Sequence, residues 1–139
     1  MTLSIYLNFN GDCREAFEFY RSVFGGDFEN LQTFGDGPDD LVVPEDERDQ
    51  VMHVSLPVGD SVLMGSDTPS WSPEPTRMGN NFSISYSPAT REETDDVFAK
   101  ISEGGTVTMP LEDMFWGAYF GSCTDRFGVS WQLNCEPPE

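Results

Sequence analysis

Leu3-Ser4-Ile5-Tyr6-Leu7 and Phe82-Ser83-Ile84-Ser85-Tyr86 decide the fold. Both alternate apolar and polar residues as a half-buried strand does, and Ile84 lies 79 residues after Ile5. The same offset separates Phe19 from Phe98 and Gly25-Gly26 from Gly104-Gly105. One ungapped spacing through strand, helix and glycine cap marks an internal repeat.

Each of these strands leads into a helical pattern. The first helix is predicted to start at Asp12, with Glu15 closing a capping box, and to turn Ala16, Phe19, Tyr20, Val23 and Phe24 to the core. Thr90 with Glu93 repeats the box, and Val97, Phe98 and Ile101 form the second stripe. Three strand-like runs follow each helix, at 27–34, 50–58 and 61–65 and again at 106–112, 117–124 and 129–134. Val58-Gly59-Asp60-Ser61 and Asp125-Arg126-Phe127-Gly128 read as tight turns. The expected class is therefore α+β, with βαβββ written twice in one domain, 1–139. Repeat one covers 1–67, a linker 68–80 and repeat two 81–135. A four-stranded sheet with a single helix leaves one face bare, and pairing the halves covers it. Residues 35–49 form an acidic loop, and the linker carries Trp71 and Met78.

Composition narrows the function. A chain of 139 residues with 11 Phe and 3 Trp has enough large apolar area for one core, although only 37% of it is hydrophobic. Twenty-five acidic against 7 basic residues give a net charge of -18, which repels phosphate. Nucleic acid and anionic membranes are therefore not expected as partners. The acidity fits a salt-adapted host or simply a soluble acidic protein. No apolar run is long enough to span a bilayer, and Met1-Thr2-Leu3-Ser4-Ile5 has no signal-peptide pattern, so a cytoplasmic location is expected. Cys13, Cys123 and Cys135 form neither a CxxC pair nor a disulfide framework and read as reduced thiols. Cys13 stands at a helix start, where the dipole lowers a thiol pKa, although an inert small residue at a loop end is the plainer reading.

Several phrases resemble the PhnB-like branch of the vicinal-oxygen-chelate superfamily, which holds glyoxalase, bleomycin-resistance and dioxygenase proteins. They are 6–11 (YLNFNG) leading to 15–20 (EAFEFY), then 51–56 (VMHVSL), 64–67 (MGSD), 115–117 (FWG) and 125–131 (DRFGVSW). The resemblance implies two curved mixed sheets around a concave cup, helices on the convex side, and a homodimer. It also implies, in many members, a divalent metal held by His or Glu from the first and last strands of each repeat.

Alternation tests that metal site. Leu3, Ile5 and Leu7 are expected to face the helix, leaving Ser4, Tyr6 and Asn8 for the cup. Ser83 and Ser85 oppose Phe82 and Ile84, and Gln132 and Asn134 oppose Trp131 and Leu133. The four ligand positions then hold Ser4 or Tyr6, Leu63 or Met64, Ser83 or Ser85, and Gln132. Such donors are too weak for a hard or borderline cation, so the metal site reads as lost and no cofactor is expected. His53, the single histidine, shares a strand face with Ser55 and is expected in the cup, as an acid-base group or as a hydrogen-bonded structural residue. Tyr6, Phe115, Trp116 and Tyr119 are candidate pocket walls, with ordinary packing as the alternative. Gly35-Asp36-Gly37 lacks a following helix start, and no glycine-rich cofactor turn appears, which argues against a methyltransferase.

The leading expectation is a metal-free, dimeric binder of a small molecule in a cup lined by Tyr6, Asn8, His53, Ser55, Ser83, Ser85, Trp116, Tyr119 and Gln132. An enzyme with glyoxalase- or dioxygenase-related lyase, isomerase or transferase chemistry, using His53 as acid-base, is the alternative. A structural or regulatory dimer whose cup is filled by its own side chains is a third.

Overall fold

The amphipathic helices and alternating strands assemble twice into the same arrangement. The computed structural model describes residues 2–38 and 42–137 and divides into two units, Met1–Arg77 and Met78–Glu139. The first contains β1 (Ile5–Phe9), α1 (Cys13–Phe24), β2 (Asn30–Thr33), β3 (Val51–Val58) and β4 (Ser61–Asp67). The second contains β5 (Ile84–Tyr86), α2 (Arg91–Ile101), β6 (Thr106–Asp113), β7 (Tyr119–Thr124) and β8 (Ser130–Cys135). Their sheets have the orders β1-β4-β3-β2 and β5-β8-β7-β6, the first two strands of each list being parallel and the rest antiparallel. This is the duplicated βαβββ pattern in two mixed sheets. The boundary falls between Arg77 and Met78, and the segment before it is tied to the first unit. Asn10 exchanges two hydrogen bonds with the Thr76 backbone, and Trp71 packs edge-on against Phe34.

Helix α1 buries Cys13, Ala16, Phe17, Tyr20 and Val23, while Phe19 and Phe24 are only half-buried. The stripe is thus rotated by about one residue from the sequence reading. The cause lies in β4, where Gly65 leaves space for the Phe17 ring; a Cβ there would stand 2.6 Å from Phe17 Cε2. Leu3 and Phe82, expected to face the helices, precede their strands and are 93% and 64% exposed.

The expected capping box at Asp12 does not form, since the Asp12 side chain makes no capping bond. A residue far along the chain caps α1 instead. Asp67, buried at the end of β4, accepts from Gly11 N at 2.9 Å and Cys13 N at 3.0 Å through Oδ1, and from Val51 N at 2.8 Å through Oδ2. Three amide donors and a helix N-terminus compensate the burial of that carboxylate. In the second repeat the local rule holds at its first half, where Thr90 Oγ1 accepts from Glu93 N at 3.1 Å. Buried Asp125 organises the last turn, accepting from Phe127 N, Val129 N and Trp131 Nε1.

At the sheet edge, β6 is exposed along nearly its whole length. Two register shifts against β7 interrupt it, between Val107 and Met109 and between Met109 and Glu112.

Candidate ligand-binding faces

Register, rather than single-strand alternation, decides which side chains meet. In the first sheet Tyr6 lies opposite Met64, Asn8 opposite Ser66, Ser55 opposite both Met64 and Asn30, and His53 opposite Gln32. These eight residues share the face turned away from α1. Leu7, Phe9, Val54, Leu56 and Leu63 are buried on the other face. His53 stands between two hydroxyls, with Nδ1 3.3 Å from the Tyr6 oxygen and Nε2 3.0 Å from Ser55 Oγ. The Tyr6 and His53 rings are 5.7 Å apart and tilted by 32°. Ser66 Oγ reaches Asn8 Oδ1 at 3.5 Å. In a neutral imidazole one nitrogen donates and the other accepts, so Tyr6–His53–Ser55 forms a continuous hydrogen-bonded row in either tautomer. None of the eight side chains is a carboxylate, a lysine or an arginine.

In the second sheet Ser85, Gln132 and Ser122 stand in one row, with Phe120 opposite Asn134. Thr108 Oγ1 and Ser122 Oγ are 2.7 Å apart. The Asn134 amide donates to Glu136 at 2.6 Å. Ser83 precedes β5 and is exposed. Phe115 and Trp116, on the β6–β7 connection, stack edge-on at 4.8 Å with Phe115 98% exposed. Tyr119 lies elsewhere. It pairs with Cys135, so its ring is on the helix side, donating its hydroxyl to Asp95 of α2 beneath the Arg91 guanidinium at 3.9 Å. The bond to Asp95 favours the protonated phenol and raises its pKa, with desolvation adding to it. Arg91 is also paired with Asp113, whose carboxyl is held below its ordinary range by the guanidinium.

The thiols differ from one sequence reading. Cys13 does open α1, but burial, followed by the charges of Asp67 and Asp12, raises its pKa and outweighs the helix dipole. Burial likewise pushes Cys123 up to about 11.

Register also tests the family's metal positions. Tyr6 pairs with Met64 and Ser85 with Gln132, while Leu63 points to the helix side. A phenol, a thioether, a hydroxyl and an amide do not fit a hard or borderline divalent cation. Among the described residues no cluster of three or more His, Cys, Asp or Glu is placed to hold a metal. Nor is any described helix long and apolar enough to cross a membrane. Sequence reasoning missed Asn30, Gln32, Ser66, Phe120 and Ser122. Each is assigned to its face by the strand beside it.

The comparisons agree with this architecture. A family model described as 3-demethylubiquinone-9 3-methyltransferase matches residues 1–134. Protein PA1353 from Pseudomonas aeruginosa is 42% identical with a TM-score of 0.87, over 99% of both chains. The PhnB protein from Bacillus cereus is 25% identical with a TM-score of 0.76, over 97% of this chain and 99% of its own. A glyoxalase/bleomycin resistance protein from Albidiferax ferrireducens T118 shares the fold at 18% identity, with a TM-score of 0.65 over 99% of both chains. The chain therefore belongs to the 3-demethylubiquinone-9 3-methyltransferase family, the PhnB-like branch of the vicinal-oxygen-chelate superfamily of glyoxalase, bleomycin-resistance and dioxygenase proteins.

Proposed function

We propose that this protein is a metal-free binder of small, uncharged, partly aromatic molecules and that the polar face of the first sheet holds them. The observation that carries the reading is the Tyr6–His53–Ser55 row. It offers directed donors and acceptors beside an aromatic ring and a thioether, on strand positions free of ionised side chains in a chain of net charge -18. A charged ligand would find no counter-ion there, whereas a carbonyl or phenol oxygen would find a hydroxyl or imidazole. Asn8 completes this set, and Ser85 and Gln132 are the corresponding groups of the second sheet. The homodimer implied by the family is part of the proposal.

A thermal-shift screen of neutral aromatic carbonyl compounds and phenols tests it. A ligand at 100 times its Kd stabilises the fold by about 2.7 kcal/mol, a rise in Tm of roughly 10 °C. Tyr6→Phe and His53→Ala reduce that rise. A screen with no stabilising compound overturns the reading. So does a native mass spectrum of the purified protein showing one divalent metal per chain.

The hydroxyls at both imidazole nitrogens favour a second reading, in which His53 exchanges a proton with a bound substrate and Tyr6 positions its oxygen. Any activity found must then collapse in His53→Ala; full retention ends this version. The family's descriptive label names a methyltransferase. Gly35 and Asp36 lie in a single 3-10 turn, Phe34–Asp36, which offers no strand-to-helix cofactor loop in support of that activity.

A further inference from the structure

The two hydroxyls of the Tyr6–His53–Ser55 row differ in their access to water, Ser55 being 6% exposed and Tyr6 44%. Ser55 Oγ lies 3.0 Å from His53 Nε2 and has no other hydrogen-bond partner among the described residues. Asn30 and Met64, its neighbours across β2 and β4, are not bonded to it. A neutral imidazole carries one N–H, and the choice of nitrogen decides the direction of every bond in the row. With the hydrogen on Nε2, that N–H donates to Ser55, and the serine's own O–H is left without an acceptor in a buried position, which is costly. With the hydrogen on Nδ1, Ser55 donates to Nε2, and Nδ1–H donates to the Tyr6 oxygen 3.3 Å away. The spare O–H is then that of the exposed phenol, which water or a ligand can satisfy. No carboxylate, lysine or arginine stands among the eight residues of this face to impose the opposite tautomer.

We propose that Ser55 sets the ligand specificity of this face by holding His53 in the Nδ1–H form, so that the row ends in a Tyr6 O–H donor. The ligand class is then an aromatic ketone or aldehyde, whose oxygen can only accept, in preference to a molecule that can only donate. The proposal rests on the binding reading of the same face and narrows it to carbonyl acceptors. Each bond of the row polarises the next, which strengthens the phenol as a donor. A donor-only ligand meets that O–H with its own N–H. It must turn the phenol away or reverse the row, and reversal strands the buried Ser55 hydroxyl. Ser55 acts through His53 and is a positioning residue; Tyr6 is the group that meets the carbonyl.

His53 is the single histidine of the chain, so uniformly 15N-labelled full-length protein gives one pair of imidazole nitrogen resonances. Long-range 1H–15N correlation spectra, taken at rising pH until the imidazole is neutral, should show Nδ1 as the protonated nitrogen and Nε2 as the bare one. Free histidine in water prefers the reverse. Ser55→Ala should return the ring to the Nε2–H form, while Ser55→Thr, which keeps a hydroxyl, should retain Nδ1–H. Binding is followed by titration with acetophenone, which only accepts, and indole, which only donates. The ratio of their affinities should fall in Ser55→Ala by about fivefold or more, the worth of one hydrogen bond, and hold in Ser55→Thr. A ring protonated on Nε2 in the unmodified protein overturns the proposal whatever binds, and an unchanged affinity ratio in Ser55→Ala does the same. Where Ser55→Ala does not fold, the spectrum of the unmodified protein decides. Failure of both compounds to bind a protein with the expected spectrum overturns the ligand class together with the binding reading, whereas acetophenone binding beside the opposite spectrum overturns the role of Ser55 alone.

Discussion

Replacing Asp67 by Asn tests the cross-chain cap on α1 with the smallest available change. Oδ1 accepts from Gly11 N and Cys13 N, and Oδ2 from Val51 N. An amide keeps one acceptor and turns the other into a donor, so at least one amide N–H, that of buried Val51, faces another N–H. Losing one buried charge-assisted hydrogen bond costs about 1.5–3 kcal/mol. Loss of the negative charge at the helix start adds up to roughly 1 kcal/mol. The expected total is about 3 kcal/mol for Asp67→Asn and somewhat more for Asp67→Ala, which leaves all three amides unpaired. Lowering the net charge of -18 by one unit acts in the opposite direction, and Asp60→Asn, in an exposed turn, measures that effect alone. With a urea m-value near 2 kcal/mol/M, the far-UV circular dichroism midpoint should fall by about 1.5 M in Asp67→Asn. A midpoint within about 0.2 M of the Asp60→Asn control would refute the reasoning.

The two helix starts should respond differently to local changes: Thr90→Ala costs about 1 kcal/mol in urea unfolding and Asp12→Ala under about 0.5, because only Thr90 makes a side-chain cap. Gly65→Ala pushes a methyl against the Phe17 ring and lowers stability by about 1–3 kcal/mol, and a variant as stable as the parent would show that α1 shifts freely. Folded Cys123 keeps its proton up to about 11, against 9.0 ordinarily, so the unfolded thiol ionises first. Its contribution to stability is complete below pH 9 and is lost as pH rises to about 11; Cys123→Ala should flatten the fall in Tm over that interval.

Much of this was legible in the sequence because it is local or periodic. The 79-residue offset foretells the duplication, and alternation alone puts Tyr6 and Asn8 on one face of β1 and His53 with Ser55 on one face of β3. What escaped depends on long-range partners. The cap on α1 comes from a residue 54 positions beyond Cys13, so the local signal at Asp12 and Glu15 pointed to a box that does not form. Phe17 was left out of the core stripe because its place depends on a glycine in β4. Tyr119 lies on the helix side by its pairing with Cys135, and its partner Asp95 belongs to the preceding helix. The row through His53 needs the contact with Tyr6, 47 residues away, which no reading of β3 by itself contains.

The exposed strand β6 has a consequence for self-association. Its sequence, 106–113 (TVTMPLED), sets Pro110 inside the second of its two register shifts and ends in Glu112 and Asp113. An outer strand normally offers a regular row of amide and carbonyl groups to any passing chain. Here one amide hydrogen is missing at Pro110, the spacing of the others is broken by the shifts, and the Glu112 carboxylate repels an identical chain, Asp113 being engaged by Arg91. The outermost strand of the second sheet is thus a poor template for fibril-like stacking, despite exposing Val107 and Met109.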